Sequence, residues 1–133
     1  MKVITFRHDG IAHVGAVRAD GKTVVDLTEA GVATSMLDLI ERFDLLRGKI
    51  DGVLSSGPTR SIDQIEILAP IPVPRRNIFC VGKNYYEHAA EFGSSGFDSG
   101  SVGGSEIPEY PIIFTKPPSS VVGPGVGIES ALD

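Results

Sequence analysis

Pro70, Pro72 and Pro74 alternate with Ile71 and Val73, and no regular element can run through them. Each proline ring fixes φ at about −65° and removes a backbone donor, so a helix or a central strand would lose hydrogen bonds at three places. The stretch is restricted to an extended polyproline form with little freedom. It divides the 133 residues into 1–74 and 75–133, and each part is read separately.

The first part alternates apolar and polar residues over Lys2–Arg7, Ile11–Arg18 and Thr23–Leu27, with Asp9-Gly10 and Asp20-Gly21 between them. Alternation with a period of two marks strands, and Asp-Gly marks tight hairpin turns, so a three-strand meander is expected. Ser35, with Asp38 three residues on, has the form of a capping box with the shorter acid. Met36, Leu37, Leu39, Ile40 and Phe43 then repeat at helical spacing, and Leu46, Ile50, Val53 and Leu54 make the apolar stripe of a second helix over Leu45–Leu54. Pro58 ends the helical run, and Gln64–Leu68 reads as a strand returning to the small sheet. Such a segment is α+β, a β-meander with two helices. His8 and His13 receive no role, because no carboxylate or thiol stands at a metal-like spacing from either in the sequence.

The second part holds the chemistry. Ile78-Phe79-Cys80-Val81 is an apolar run suited to a buried strand, Gly82 lets the backbone turn, and Tyr85–Phe92 contains neither Gly nor Pro. A short helix is expected there, with Gly93 just past its end. His88 and Glu91, three residues apart, share a helix face; such a pair is commonly an ordinary surface contact, and it is also the pattern of an imidazole oriented by a carboxylate for proton abstraction. Gly93–Ser105 holds five Gly and five Ser in thirteen residues, too few apolar side chains to pack, and reads as a mobile lid. Ile112–Thr115 is a second buried strand running into Lys116, and Ser120–Val122 is a third short one. Gly123-Pro124-Gly125-Val126-Gly127 lacks the Lys-Ser/Thr of a phosphate loop and is read as a tight turn.

Composition narrows the partners. Charge sums to −5, from 12 basic and 17 acidic residues, with no basic face for phosphates, so nucleic acid is excluded as a partner. Met1–Arg7 is too soon charged for a signal peptide and no stretch approaches a membrane span, so a cytoplasmic protein with no membrane partner is expected. The single cysteine, Cys80, sits in an apolar run and is read as a small packed side chain.

Phe79-Cys80-Val81-Gly82-Lys83-Asn84-Tyr85, then His88-Ala89-Ala90-Glu91, then Pro111-Ile112-Ile113-Phe114-Thr115-Lys116-Pro117 resemble the start of the catalytic domain of the fumarylacetoacetate hydrolase family. Met1–Pro74 resembles the small N-terminal domain preceding it in many bacterial members. The resemblance implies a mixed β-roll beginning within 75–133 and a homodimer. It also implies an enzyme on small 2-oxo or diketo acids, of the kind used in aromatic catabolism, that takes Mg2+ or Mn2+ as Lewis acid on the substrate carbonyl. Carried over, His88 is the general base, Glu91 its orienting partner and Lys116 a substrate-binding cation, while Gly82, Asn84 and Tyr85 shape the turn. The reaction stays open: hydrolysis of an acylpyruvate or fumarylacetoacetate type of carbon–carbon bond, decarboxylation of oxaloacetate, or isomerisation of a hydroxymuconate-type diacid. The family's metal carboxylates, a Glu-x-Glu pair and an Asp, are expected beyond Asp133; Glu106, Glu109 and Glu129 do not match their positions. No metal ligand is therefore assigned, and the chain alone is expected to be an inactive first half. The competing reading is a non-catalytic binding or assembly module.

Overall fold

The computed structural model describes residues 1–94 and 110–127, with the backbone alone at 88 and 92–94. These residues form two compact units, Met1–Val73 joined by the segment from Val121, and Pro74–Ser120.

In the first unit, β1 (Lys2–His8), β2 (Ile11–Val17) and β3 (Thr23–Asp26) form the expected antiparallel meander. His8 pairs with Ile11 across a two-residue loop in which Asp9 (φ 49°) and Gly10 (φ 78°) are both left-handed, the geometry that matches strand twist. At the next turn Asp20 accepts the Lys22 and Thr23 backbone N–H groups at 2.8 and 2.9 Å and the Thr23 hydroxyl at 2.7 Å.

Ser35 caps α1 (Met36–Glu41) by accepting the Asp38 N–H at 3.1 Å. Asp38 takes the Thr34 N–H and both arms of the Arg42 guanidinium, and the helix breaks at Arg42 (φ −115°, ψ 18°). The break separates Phe43 from the stripe of α1 and makes it the first residue of α2 (Phe43–Ser56), which begins before and ends after the expected Leu45–Leu54. Leu46 and Ile50 of α2 and Met36 and Leu39 of α1 cover Val14, Ala16, Val25 and Leu27 on one sheet face. Full burial of a side chain such as Leu39 or Ile50 contributes about 1.5–3 kcal/mol each.

One edge of this sheet was not anticipated: β4 (Thr59–Ser61) pairs with β3. The expected strand within Gln64–Leu68 does return to the sheet, shortened to the two-residue β5 (Glu66–Ile67) on β1 after a 3-10 turn at Ile62–Gln64. The order β4-β3-β2-β1-β5 places β4 and β5 on opposite edges, yet only residues 62–65 join them. With Ile62–Gln64 wound into a 3-10 turn the five Cα steps from Ser61 to Glu66 cover about 13 Å, short of the about 19 Å between the outer strands of a flat five-stranded sheet, so the sheet curls. Inside the curl Phe6, Val24 and Asp26 are fully buried around Gly15, where an added Cβ would meet Phe6 Cε1 at 2.9 Å and Val24 Cγ1 closer still. Glycine is required there because the curl leaves no room for a methyl group.

Acid should loosen this unit. Bonds from the Thr23 hydroxyl and the Lys22 and Thr23 N–H groups hold the Asp20 carboxyl down at about 2, and the Arg42 guanidinium, with the Thr34 N–H, depresses that of Asp38. A carboxyl depressed by folding stabilises the native state above its unfolded pKa and loses that contribution as pH falls through the folded value. Denaturant midpoints are expected to decline from about pH 4 towards pH 2, and Asp20→Asn should flatten part of that decline; an unchanged slope in the variant would contradict this assignment.

Gly123–Val126 is the expected tight turn, with Pro124 second, Gly125 third at φ 78° and the Val126 N–H on the Gly123 carbonyl at 3.4 Å, a type II arrangement. The strand expected at Ser120–Val122 does not form; a 3-10 turn occupies Pro118–Ser120.

In the second unit β6 (Ile78–Gly82) pairs antiparallel with β7 (Ile112–Lys116), from Ile78 opposite Lys116 to Gly82 opposite Ile112. Both were expected to be buried, but β7 is exposed throughout, and Phe79 and Ile113 are 73% and 65% exposed. The reason is physical: two strands satisfy one another's inner edges and leave both faces uncovered. α3 (Tyr86–Ser94) follows β6, and Gly93 lies in its last turn, not beyond it. The rest of the lid reading, Ser95–Ser105 including Phe97, lies outside the described residues, as do Glu106, Glu109 and Glu129.

Candidate active site

Strand pairing holds through Gly82 and helix begins at Tyr86, so residues 83–85 carry the change of direction. The left-handed backbone falls on Lys83 (φ 49°), whereas the expected site of the turn was Gly82; a Cβ on Gly82 would sit in ordinary contact, 3.6 Å from Ile112 and Phe114. The Ala89 N–H bonds the Tyr85 carbonyl at 3.0 Å, closing the first helical turn, and Ala89 is buried. At about 100° per residue, Glu91 lies about 200° round the axis from Ala89, opposite the anchored face, and Glu91 is exposed. The His88 backbone is in the same helix, three residues before Glu91, and its side chain lies outside the described residues.

Lys116 occupies the other end of the ribbon. It pairs with Ile78, whereas the elbow leading to α3 starts at Gly82, four residues along the strand. At about 3.3 Å per residue the ends are about 13 Å apart, so the ribbon itself does not bring Lys116 to the start of α3. Lys116 is exposed at its strand end. Among the described residues no three His, Cys, Asp or Glu side chains converge to hold a metal ion. A hard divalent cation normally needs at least one or two carboxylates in a rigid oxygen frame, so the described residues do not fit such an ion by themselves.

One polar cluster escaped the sequence reading. Asp26, fully buried, accepts from His13 Nδ1 at 2.9 Å, Arg60 Nε at 3.2 Å, and the Thr28 and Glu29 backbone N–H groups at 3.1 and 2.9 Å. Arg60 also pairs with Glu29, and the His13 ring stands between Phe6 and His8, with centroids 5.7 and 5.5 Å away. His13 thus has a carboxylate partner thirteen residues away, which spacing rules for metal sites do not reveal. Every acceptor position of this carboxylate is engaged from within the fold, so its role is to fasten β2, β3 and β4.

Comparison with known proteins bears on the second unit first. A family model described as fumarylacetoacetate hydrolase C-terminal matches residues 77–131. Oxaloacetate tautomerase YisK of Bacillus subtilis is 43% identical over 70 residues, which are 53% of this chain and 20% of that protein. A fumarylacetoacetate hydrolase structure from Exiguobacterium antarcticum superposes with a TM-score of 0.54 at 32% identity, over 92% of this chain and 37% of that one. Maleylpyruvate hydrolase from Sphingobium, solved with manganese(II) and pyruvate, gives 0.60 at 24% identity over 92% of this chain and 39% of its own, a likeness of fold. The matched parts amount to 20–39% of these relatives' lengths. No described helix is long and apolar enough to cross a membrane. The α+β architecture, the match over 77–131 and these relatives agree that the chain belongs to the fumarylacetoacetate hydrolase family.

Proposed function

We propose that this chain contributes to a divalent-metal-dependent enzyme acting on small 2-oxo or diketo acids, with residues 1–74 as its small N-terminal domain and 75–133 as the opening of its catalytic domain. Hydrolysis of an acylpyruvate-type carbon–carbon bond is the leading reaction, with decarboxylation or keto–enol isomerisation as its relatives. The observation that carries the reading is α3: a short helix launched from a strand, anchored on one face by Ala89 and bearing His88 and Glu91 three residues apart. When bound, Mg2+ or Mn2+ would polarise the substrate carbonyl. The manganese in the maleylpyruvate hydrolase supports a divalent ion. His88 takes a proton from water or substrate, Glu91 orients the imidazole and stabilises the imidazolium that forms, and Lys116 binds the substrate carboxylate once the remaining catalytic domain surrounds the ribbon. The exposed apolar faces of β6 and β7 support packing against further structure and assembly as a homodimer.

The ion's ligands are proposed to be the Glu-x-Glu pair and the Asp that the family resemblance implies beyond Asp133; the described residues themselves offer no convergent set. Calorimetric titration of this chain with Mn2+ is expected to show no defined site tighter than about millimolar, and an acylpyruvate should turn over no faster than in buffer. Micromolar one-site binding or clear turnover would show that the missing carboxylates are not needed.

A further inference from the structure

We infer that Lys83 is a positioning residue whose left-handed backbone, not its charge, aims α3; the inference rests on the proposed role of His88 and Glu91. Among the described residues only Asp9 and Lys83 are non-glycine residues at positive φ. Asp9 is in a hairpin loop followed by Gly10, where aspartate is a favoured residue. Lys83 has no such licence. Its neighbours Gly82 and Asn84 would adopt this conformation more readily, yet neither does.

Topology explains why the strain lands on Lys83. Gly82 is committed to extended pairing with Ile112, and four residues later, at Tyr86, the chain is already helical. The reversal therefore starts at the first residue free of the ladder, and that residue is Lys83. Strain of this kind persists where the surrounding structure over-determines it, and here both neighbouring elements do so. The consequence is a lever. Glu91 is about 7.5 Å along the axis from the start of α3, so an error of about 15° at the elbow swings it by about 2 Å, beyond the tolerance of proton transfer.

A substitution series separates backbone from side chain. Lys83→Gly and Lys83→Asn accept positive φ, Lys83→Arg keeps the charge, and Lys83→Val penalises positive φ through its β-branch. The helical Cα chemical shifts of residues 86–92 in this chain should be retained by Gly and Asn and fall by about half in Val, while the resonances of the first unit stay in place. In the protein of full family length, kcat should follow the same order, with Val about tenfold down, KM little changed, and Gly restoring the rate. Retention of the shifts by Val, or loss of rate in Gly together with retention in Arg, would overturn the elbow and assign the role to the charge. Shifts that follow the predicted order in a protein without oxo-acid turnover would uphold the elbow and refute the enzymatic reading instead.

Discussion

Asp26→Ala is expected to destabilise the first unit by about 3–5 kcal/mol, most of the stability of a domain this small. The carboxylate is fully buried and collects four donors: the His13 ring, the Arg60 guanidinium, and the Thr28 and Glu29 backbone N–H groups. Alanine removes the acceptor and leaves the donors. An unsatisfied buried donor costs about 1–3 kcal/mol, and a cation stripped of its buried partner costs more. Glu29 remains beside Arg60, which keeps the total below a simple sum. Asp26→Asn preserves shape and one acceptor but turns an amide N–H2 towards donors, so about 2–3 kcal/mol is expected. Urea unfolding followed by far-ultraviolet circular dichroism reads both variants; a loss under about 1 kcal/mol for alanine would mean that water replaces the carboxylate and the cluster is not a fastening.

Asp26 also shows where a sequence stops being legible. The meander was readable because apolar alternation and two Asp-Gly turns are local signals, and the Ser35 cap was readable for the same reason. The partners of Asp26 lie 13 and 34 residues away, and no local pattern connects them. β4 is the polar triplet Thr59-Arg60-Ser61, a strand only because the β3 edge offers it a ladder. Burial of β6 and β7 was misjudged because an apolar run records what a strand can be covered by, not what covers it within a two-stranded ribbon. At the elbow, glycine marked where turning is easy, and pairing decided where turning occurs. The spacing of His88 and Glu91 was plain in the sequence, but it acquired chemical meaning only from the family motifs around it.

His88→Ala in the protein of full family length carries the other large effect, a fall in kcat of about 10² to 10⁴, the usual contribution of a positioned general base. Glu91→Gln should cost less, because it removes the charge that favours the imidazolium but keeps a hydrogen-bonding group at the same place on α3. Neither change should weaken the metal site, since both residues are assigned to proton transfer and none of the proposed ligands is altered. Turnover of an oxo acid and Mn2+ affinity, measured on one preparation of His88→Ala, therefore test the assignment most directly. A loss of about a hundredfold or more in kcat with Mn2+ affinity within about twofold is the expected result. Turnover within about threefold of the unsubstituted enzyme would contradict it and leave His88 and Glu91 an ordinary pair on the surface of α3.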